Sequence, residues 1–208
     1  MILVVTELSA QKPVFYRLAE LSRPTLCRLH VDSRHVQLDT NQPAVGYDHL
    51  VLHATCNITF GLAVADRSKG DLNGAVHHSA LLELIDSLTN EGVADSRQIF
   101  LLGFSQSCAL NYRFAFAHPN HLRGVIGICG GMPGDWETSK LYKQTNAAVF
   151  HLSGERDEFY PPARTANYAV QLRERASDVE FRSYDAGHEI VQPMRDNVRS
   201  WLKQKVLV

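Results

Sequence analysis

The chain has 208 residues, of which 45% are hydrophobic and 21% charged, as is typical of a soluble globular protein with a sizeable core. Its 21 Lys and Arg residues nearly balance its 22 Asp and Glu residues, so no broad positive field is available to bind nucleic acid or anionic lipid. We therefore expect a single domain over residues 1–208 that does not bind nucleic acid.

The four cysteines, Cys27, Cys56, Cys108 and Cys129, are widely spaced and form no C-x-x-C pair. This spacing argues against a zinc ribbon, a thioredoxin-type site or a dense disulfide scaffold, and favours buried free thiols. The apolar residues 1–5 have no basic flank and form a run too short for a secretory signal or a membrane span. The expected location is cytoplasmic, with no membrane span.

The sequence of the first third of the chain predicts few helices and strands. Residues 2–5 and 35–39 have the apolar content of strands, and residues 14–21 have helical spacing that stops near Pro24. Residues 50–65 fit a hairpin, a loop or a strand equally well. The structure of residues 50–70 is therefore left unassigned.

From Ala75 onward, helical and strand patterns alternate regularly. Apolar residues at helical spacing predict helices at residues 78–89, 109–117, 164–175 and 191–206. Short apolar runs predict strands at residues 99–102, 122–129 and 147–152, and residues 179–184 are also predicted to form a strand. This alternation favours an α/β fold with a mostly parallel central sheet and helices on both faces.

A candidate nucleophile lies in the motif G-F-S-Q-S at Gly103–Ser107, between a predicted strand and a predicted helix. A serine hydroxyl is a poor nucleophile at neutral pH, and a tight strand-to-helix turn presents it to a base and to free backbone N–H groups. The usual motif, G-x-S-x-G, ends in glycine where this chain has Ser107. The alternative is that Ser105 serves only as a helix cap.

Two further loops follow predicted strands and carry an acid and a histidine. Asp157 comes after the strand at residues 147–152, and His188 after the strand at residues 179–184. Parallel strands bring their carboxyl ends to one edge of the sheet, and the order serine, acid, histidine is that of an elbow nucleophile in such a sheet. Glu155 and Glu158 are alternative acids, and His188 is one of 10 histidines.

The neighbouring histidines His77 and His78 raise the question of a metal site. Adjacent residues on a helix point about 100° apart, so their rings would not converge on one ion. We expect neither a metal nor another cofactor.

Three segments resemble the phospholipase/carboxylesterase family of α/β-hydrolases, which includes bacterial carboxylesterases and acyl-protein thioesterases. They are the motif at Gly103–Ser107, G-E-R-D-E-F-Y-P at 154–161 and A-G-H-E at 186–189, and the resemblance covers roughly residues 75–202. The small-residue turn at 130–133 is also similar. The resemblance implies an α/β-hydrolase fold without a separate cap domain, with Ser105 as nucleophile, Asp157 as acid and His188 as base.

The amino-terminal residues depart from the family pattern. Family members carry a His-Gly loop after an early strand, whereas Thr6 and Glu7 stand there in this chain. By register, Leu8 would offer its backbone N–H to an oxyanion hole, together with the N–H of Gln106. Loss of one such donor costs about 10²- to 10³-fold in rate.

These observations predict a serine hydrolase that cleaves carboxylic esters or thioesters through an acyl-enzyme on Ser105. The alternative is an α/β-hydrolase-fold binding or assembly protein whose catalysis is weak or lost because the His-Gly loop is missing. A dienelactone-hydrolase-like activity would need a cysteine at the elbow, but Cys108 lies three residues later, inside the predicted helix. Trp136 and Tyr142 would line the pocket or serve in packing, and a homodimer is compatible with the sequence.

Overall fold

The computed structural model describes residues 2–7, 25–32, 35–39, 50–56, 78–79, 81–86, 89–90 and 99–206. For the segments before residue 57, the description covers the backbone and its strand pairing. The candidate site residues after residue 99 all lie in the fully described part of the chain.

The described strands form one eight-stranded sheet. They are β1 (Ile2–Glu7), β2 (Thr25–Asp32), β3 (His35–Asp39), β4 (Leu50–Cys56), β5 (Ile99–Phe104), β6 (Gly124–Ile128), β7 (Ala148–Gly154) and β8 (Val179–Tyr184). The spatial order is β3-β2-β4-β1-β5-β6-β7-β8. All neighbouring strands are parallel except β2 and β3. The carboxyl ends of β5 to β8 therefore meet at one edge.

Helices connect the strands of the carboxyl-terminal half. They are α1 (Gln106–Ala117), α2 (Pro162–Thr165), α3 (Tyr168–Arg173) and α4 (Gln192–Val206), and residues 81–86 are also helical. Within the described segments, each helix is too short or too polar to cross a membrane.

Apolar side chains cover both faces of the sheet. Along β5, Ile99 and Leu101 join a cluster that includes side chains of α1 and of residues 81–85, while Phe100 and Leu102 join a second cluster. The second cluster contains the apolar face of α4, whose residues recur at helical spacing: Met194, Val198, Trp201 and Leu202. The two clusters lie on opposite faces of the sheet, and each contains side chains from helices. The predicted parallel sheet with helices on both faces is therefore confirmed.

Several predicted boundaries shift in the structure. The predicted helix at 109–117 begins earlier, at Gln106, because the turn at Ser105 leads directly into it. The predicted helix at 164–175 is divided into α2 and α3, since Asn167 adopts φ −96° and ψ −3° between them. The predicted strand at 122–129 is shorter, and it ends before Cys129, whose φ is 45°.

In the amino-terminal third, β3 matches its prediction, whereas β2 was missed and β4 lies in the unassigned stretch. Arg28 and His30 interrupt the apolar pattern of β2, so its residues lack the continuous run on which the other predictions depended. The helix predicted at residues 14–21 lies outside the described residues.

Candidate active site

Ser105 lies in a sharp turn between β5 and α1. Its φ of 59° and ψ of −124° are unusual for a residue with a Cβ atom. Two backbone hydrogen bonds hold the turn: the Ser105 N–H donates to the Ile128 carbonyl (3.0 Å), and the Cys108 N–H donates to the Ser105 carbonyl (3.2 Å). The Ser105 side chain makes no capping hydrogen bond to α1, contrary to the helix-cap alternative.

The neighbours of Ser105 in the motif fit the turn. A Cβ atom on Gly103 would lie 2.9 Å from the Cys108 nitrogen, so a larger residue would press on the first turn of α1. Ser107 stands where the usual motif has glycine, and it is buried with its hydroxyl donating to the Phe104 carbonyl (3.0 Å). The departure at Ser107 is therefore accommodated without an unpaired hydroxyl.

Asp157 follows β7 and is 2% exposed. Its Oδ1 accepts hydrogen bonds from the N–H groups of Phe159 and Tyr160, both at 2.9 Å. Burial by itself would raise the pKa of Asp157, but hydrogen bonds from the His188 ring and these two N–H groups hold it below its usual value. The alternative acids Glu155 and Glu158 are exposed, so Asp157 is the loop carboxylate that the structure brings to the histidine.

His188 follows β8 and joins the serine and the acid. Its Nδ1 lies 2.9 Å from Asp157 Oδ2, and its Nε2 lies 3.0 Å from Ser105 Oγ. A carboxylate only accepts hydrogen bonds, so Nδ1 donates, and in a neutral ring Nε2 then accepts from the Ser105 hydroxyl. The structure thus places the three predicted side chains in one hydrogen-bonded line.

The acid loop and the histidine loop are joined through their backbones. The Glu155 N–H donates to the Tyr184 carbonyl (2.8 Å), and the Arg156 N–H donates to the Ala186 carbonyl (2.9 Å). A Cβ atom on Gly154 would lie 2.5 Å from the Gly187 carbonyl oxygen, so glycine is required for this close approach. This contact sets the distance between Asp157 and His188.

Aromatic rings surround the imidazole. The ring centroids of Phe104 and Phe159 each lie 4.8 Å from that of His188, and that of Tyr160 lies at 5.9 Å. The His188 side chain is 16% exposed, so it is accessible but partly shielded from water. A partly dry imidazole between a carboxylate and a hydroxyl is suited to taking up the serine proton.

Two buried thiols lie near the site, and neither occupies the elbow. Cys108 lies in α1, where its Sγ donates to the carbonyls of Gly103 and Ile128. Cys129 donates to the carbonyls on either side of His188, those of Gly187 (3.8 Å) and Glu189 (3.5 Å). Burial and the nearby Asp157 carboxylate raise the pKa of Cys129 to about 12. Both positions argue against a cysteine nucleophile.

Of the two backbone N–H groups predicted to form the oxyanion hole, the structure describes that of Gln106. Gln106, an exposed residue, opens α1, and its N–H has no hydrogen-bond partner among the described residues. Thr6 and Glu7 belong to β1, where Thr6 pairs with Gly103 of β5. The prediction that the strand ends at residue 5 and that these two residues form the loop was therefore wrong. Leu8 lies outside the described residues.

Residues 70–206 match the sequence family described as Phospholipase/Carboxylesterase. The chain belongs to this family. The match includes all three side chains of the hydrogen-bonded line, Ser105, Asp157 and His188, and agrees with the resemblance of residues 75–202.

Individual relatives are distant. The chain is 27% identical over 129 residues to acyl-protein thioesterase 1 of Eremothecium gossypii, an alignment that covers 59% of this chain and 55% of that protein. The chain therefore matches little more than half the length of this relative.

Solved structures show the same fold. A variant of SOBER1 from Arabidopsis thaliana superposes with a TM-score of 0.58 at 22% identity, covering 68% of this chain and 67% of its own. The Bacillus cereus carboxylesterase gives a TM-score of 0.56 at 18% identity, covering 65% and 63%. This member of the phospholipase/carboxylesterase family thus has the α/β-hydrolase fold.

Two other groups of side chains considered in the sequence analysis, the histidines near residue 78 and the aromatic pair Trp136 and Tyr142, do not belong to the hydrogen-bonded line of Ser105, His188 and Asp157. Of the neighbouring histidines, His77 lies outside the described residues, so the predicted divergence of the two rings is not tested. His78 packs near His118, with ring centroids 5.2 Å apart, and no group of three or more ligand side chains that could hold a metal occurs in the described part of the chain. Trp136 and Tyr142 are 2% and 7% exposed and stack on each other within the first core cluster. They therefore serve in packing.

Sequence reasoning missed Tyr160 and Cys129 as neighbours of the site. Tyr160 lies within the motif at 154–161, but a tyrosine at this position does not by itself indicate that its ring stacks on His188. Cys129 directly follows β6, and its contact with the histidine loop depends on the order of strands in the sheet.

Proposed function

We propose that this family member is a serine hydrolase that cleaves carboxylic esters or thioesters through an acyl-enzyme on Ser105. The observation that carries the proposal is the line of hydrogen bonds from Ser105 Oγ through His188 (3.0 Å) to Asp157 (2.9 Å). Family membership supports ester hydrolysis in general, since the family comprises phospholipases and carboxylesterases.

Acylation begins when Ser105 Oγ attacks the carbonyl carbon and its proton passes to His188 Nε2. The imidazolium that forms is stabilised by Asp157, which stays ionised because its pKa is held low. The tetrahedral intermediate then expels the alcohol or thiol, which takes the proton from Nε2. Water attacks the acyl-enzyme by the same route in reverse and regenerates Ser105.

The negative oxygen of the tetrahedral intermediate needs donors that are already in place. The Gln106 N–H supplies one, because it opens α1 beside Ser105 and adds the favourable field of a helix N-terminus. We assign the second donor to the N–H of Leu8, which follows β1. The assignment is supported by the parallel pairing of β1 with β5, which places Thr6 opposite Gly103 of the serine motif.

The direct test is hydrolysis of p-nitrophenyl acetate by the wild-type chain and by Ser105→Ala. We expect Ser105→Ala to lower kcat by at least about 10³-fold, since the nucleophile is removed. Ser107→Ala is the matched control, because it removes a hydroxyl from the same turn that bonds only to the Phe104 carbonyl. We expect the control to stay within about threefold of wild type.

The alternative is a binding or assembly protein with the same fold. It is favoured by one observation: Thr6 and Glu7, which stand in place of the family's His-Gly loop, belong to β1 and pair with β4. A wild-type chain that hydrolyses the ester no faster than Ser105→Ala would support this alternative and overturn the proposed activity.

A further inference from the structure

Tyr160 is held against the candidate active site by its backbone and by its ring. Its N–H donates to Asp157 Oδ1 (2.9 Å), so its main chain is tied to the acid. Its ring lies nearly parallel to that of His188, with centroids 5.9 Å apart and an interplanar angle of 26°. The guanidinium of Arg164 also contacts this ring, 4.9 Å from its centroid.

The ring extends from His188 towards the serine turn. A Cβ atom on Gly131 would lie 2.8 Å from Tyr160 Cε1, so the ring is in close contact with the segment after β6. The preceding residue, Gly130, approaches the Ser105 carbonyl still more closely: a Cβ atom on Gly130 would lie 2.3 Å from that oxygen. Tyr160 therefore contacts both the imidazole and the segment after β6 that packs against the serine turn.

The phenol is a polar neighbour of the nucleophile. His188 Nε2 lies 3.0 Å from Ser105 Oγ, and the phenol is close enough to the same residue for Ser105 to influence its pKa. Burial raises the pKa of Tyr160, and the nearby Arg164 and Ser105 only partly oppose this effect. At neutral pH the phenol is thus protonated and can donate a hydrogen bond.

The position of Tyr160 relative to the imidazole indicates which atom of the substrate it meets. The leaving oxygen of an ester must approach Nε2, because it receives its proton there. The Gln106 N–H, the described candidate donor for the oxyanion, belongs to another element, the start of α1. A hydroxyl that borders both the His188 ring and Ser105 Oγ is therefore on the leaving-group side.

We propose that the Tyr160 hydroxyl donates a hydrogen bond to the leaving oxygen of the ester and so makes this site selective for oxygen esters of basic alcohols. This inference rests on the proposed serine hydrolase activity. A thiolate is a weak acceptor and a good leaving group, and it would gain little from the same contact.

The step balances without a further reactant. As the tetrahedral intermediate collapses, the bond between the carbonyl carbon and the leaving oxygen breaks, and its electron pair stays on that oxygen. The proton on His188 Nε2 passes to the leaving oxygen, which departs as the alcohol. Tyr160 keeps its own proton, and its hydrogen bond spreads the negative charge while the proton transfer is incomplete.

The test compares wild type and Tyr160→Phe on acetate esters of p-nitrophenol, phenol, trifluoroethanol and ethanol, and on an alkyl thioacetate. Tyr160→Phe keeps the ring stacked on His188 and removes only the hydroxyl. We expect kcat/KM to fall by about 10- to 100-fold for ethyl acetate, as is typical for loss of a hydrogen bond to a charged group. For p-nitrophenyl acetate and the thioester, we expect a change of less than about threefold.

The matched control is Tyr142→Phe, which removes a phenol that donates to Asp135 (2.9 Å) within the core. Its dependence on the leaving group should equal that of wild type. An equal loss on all esters, or no loss on any, would overturn the role of Tyr160 while hydrolysis that depends on Ser105 stands. Turnover that is unaffected by Ser105→Ala would instead overturn the proposed function, and the role of Tyr160 with it.

Discussion

Ser105 adopts a backbone conformation that costs on the order of 1–3 kcal/mol for a residue with a Cβ atom, and hydrogen bonds to Ile128 and Cys108 hold it there. The conformation lifts the hydroxyl out of the helix-capping position and towards His188. The strained backbone conformation of Ser105 thus keeps its hydroxyl accessible to substrate and to His188.

Asp157 orients the imidazole, and Asp157→Asn tests that role. We expect kcat for p-nitrophenyl acetate to fall by about 10³- to 10⁴-fold, because an amide does not hold the same tautomer or stabilise the imidazolium. Stability should change little, since the amide oxygen still accepts the N–H groups of Phe159 and Tyr160. Steady-state kinetics and thermal unfolding measure the two effects separately.

Asp185→Asn serves as the control for this variant. Asp185 lies in the histidine loop, and its exposed carboxylate pairs with Arg156. Its loss should leave kcat within about twofold of wild type. If Asp157→Asn retained more than about a tenth of the wild-type kcat, the proposed role of the acid would be wrong.

The sequence predicts Ser105, Asp157 and His188 because each follows a predicted strand and because they occur in the order serine, acid, histidine along the chain. The contributions of Tyr160 and Cys129 depend on which strands are neighbours and how closely their loops approach. No local sequence pattern indicates such distances, so the contacts of Tyr160 and Cys129 with the site can be seen only in the structure.

At the scale of elements, the site depends on the contact between the loops after β7 and β8. Gly154 closes this contact, because its position opposite the Ala186 and Gly187 carbonyl oxygens leaves no room for a side chain. The two loops carry the acid and the histidine, so their spacing decides whether the line of hydrogen bonds forms.

Gly154→Ala should therefore weaken both folding and activity. The added methyl would lie 2.5 and 2.6 Å from backbone oxygens, which cannot rotate away as a side chain can. We expect a loss of about 1–3 kcal/mol in the free energy of unfolding, together with a fall in kcat as Asp157 and His188 move apart. Urea denaturation and ester hydrolysis are the measurements.

Gly134→Ala is the matched control, because a Cβ atom there would meet nothing within 4 Å. It should behave as wild type in both assays. A Gly154→Ala protein with wild-type stability and kcat would show that the two loops tolerate separation and that Gly154 does not set their spacing.

The alternation of elements after residue 75 is predictable because β5, β6 and β7 are buried on both faces and read as continuous apolar runs. The antiparallel pair β2 and β3 lies at one edge of the sheet, and the residues of β2 alternate in character. The strand order itself follows from tertiary packing and has no local signal.

At the scale of the whole molecule, buried His151 links stability to pH. It is fully buried in β7, its Nδ1 lies 2.8 Å from the Tyr112 hydroxyl, and its ring stacks on Phe181 and meets the edge of Tyr168. Burial lowers the pKa of His151 to about 4. The folded state therefore keeps this ring neutral under conditions in which the unfolded chain binds a proton.

Acidification should therefore destabilise the protein. The unfolded ring binds a proton near pH 6.5 and the folded ring only near pH 4, so stability is complete above the higher value and falls between them. The loss at the lower end is on the order of 3 kcal/mol from this group. His78, whose pKa is also lowered to about 4, contributes with the same sign.

His151→Gln isolates the effect, because the amide can still accept from Tyr112 but does not titrate. Denaturant unfolding of both proteins between pH 7 and pH 4 should give a shallower loss of stability for the variant. Parallel curves would show that His151 does not carry the expected share of the acid sensitivity.

The central claim is that Ser105 is a nucleophile activated by His188, and covalent labelling with a fluorophosphonate tests it most directly. We predict one adduct per chain, located on Ser105 by peptide mass spectrometry, absent from Ser105→Ala and strongly slowed in His188→Ala. A folded protein that fails to react, or that is labelled equally well after Ser105→Ala, would contradict this claim.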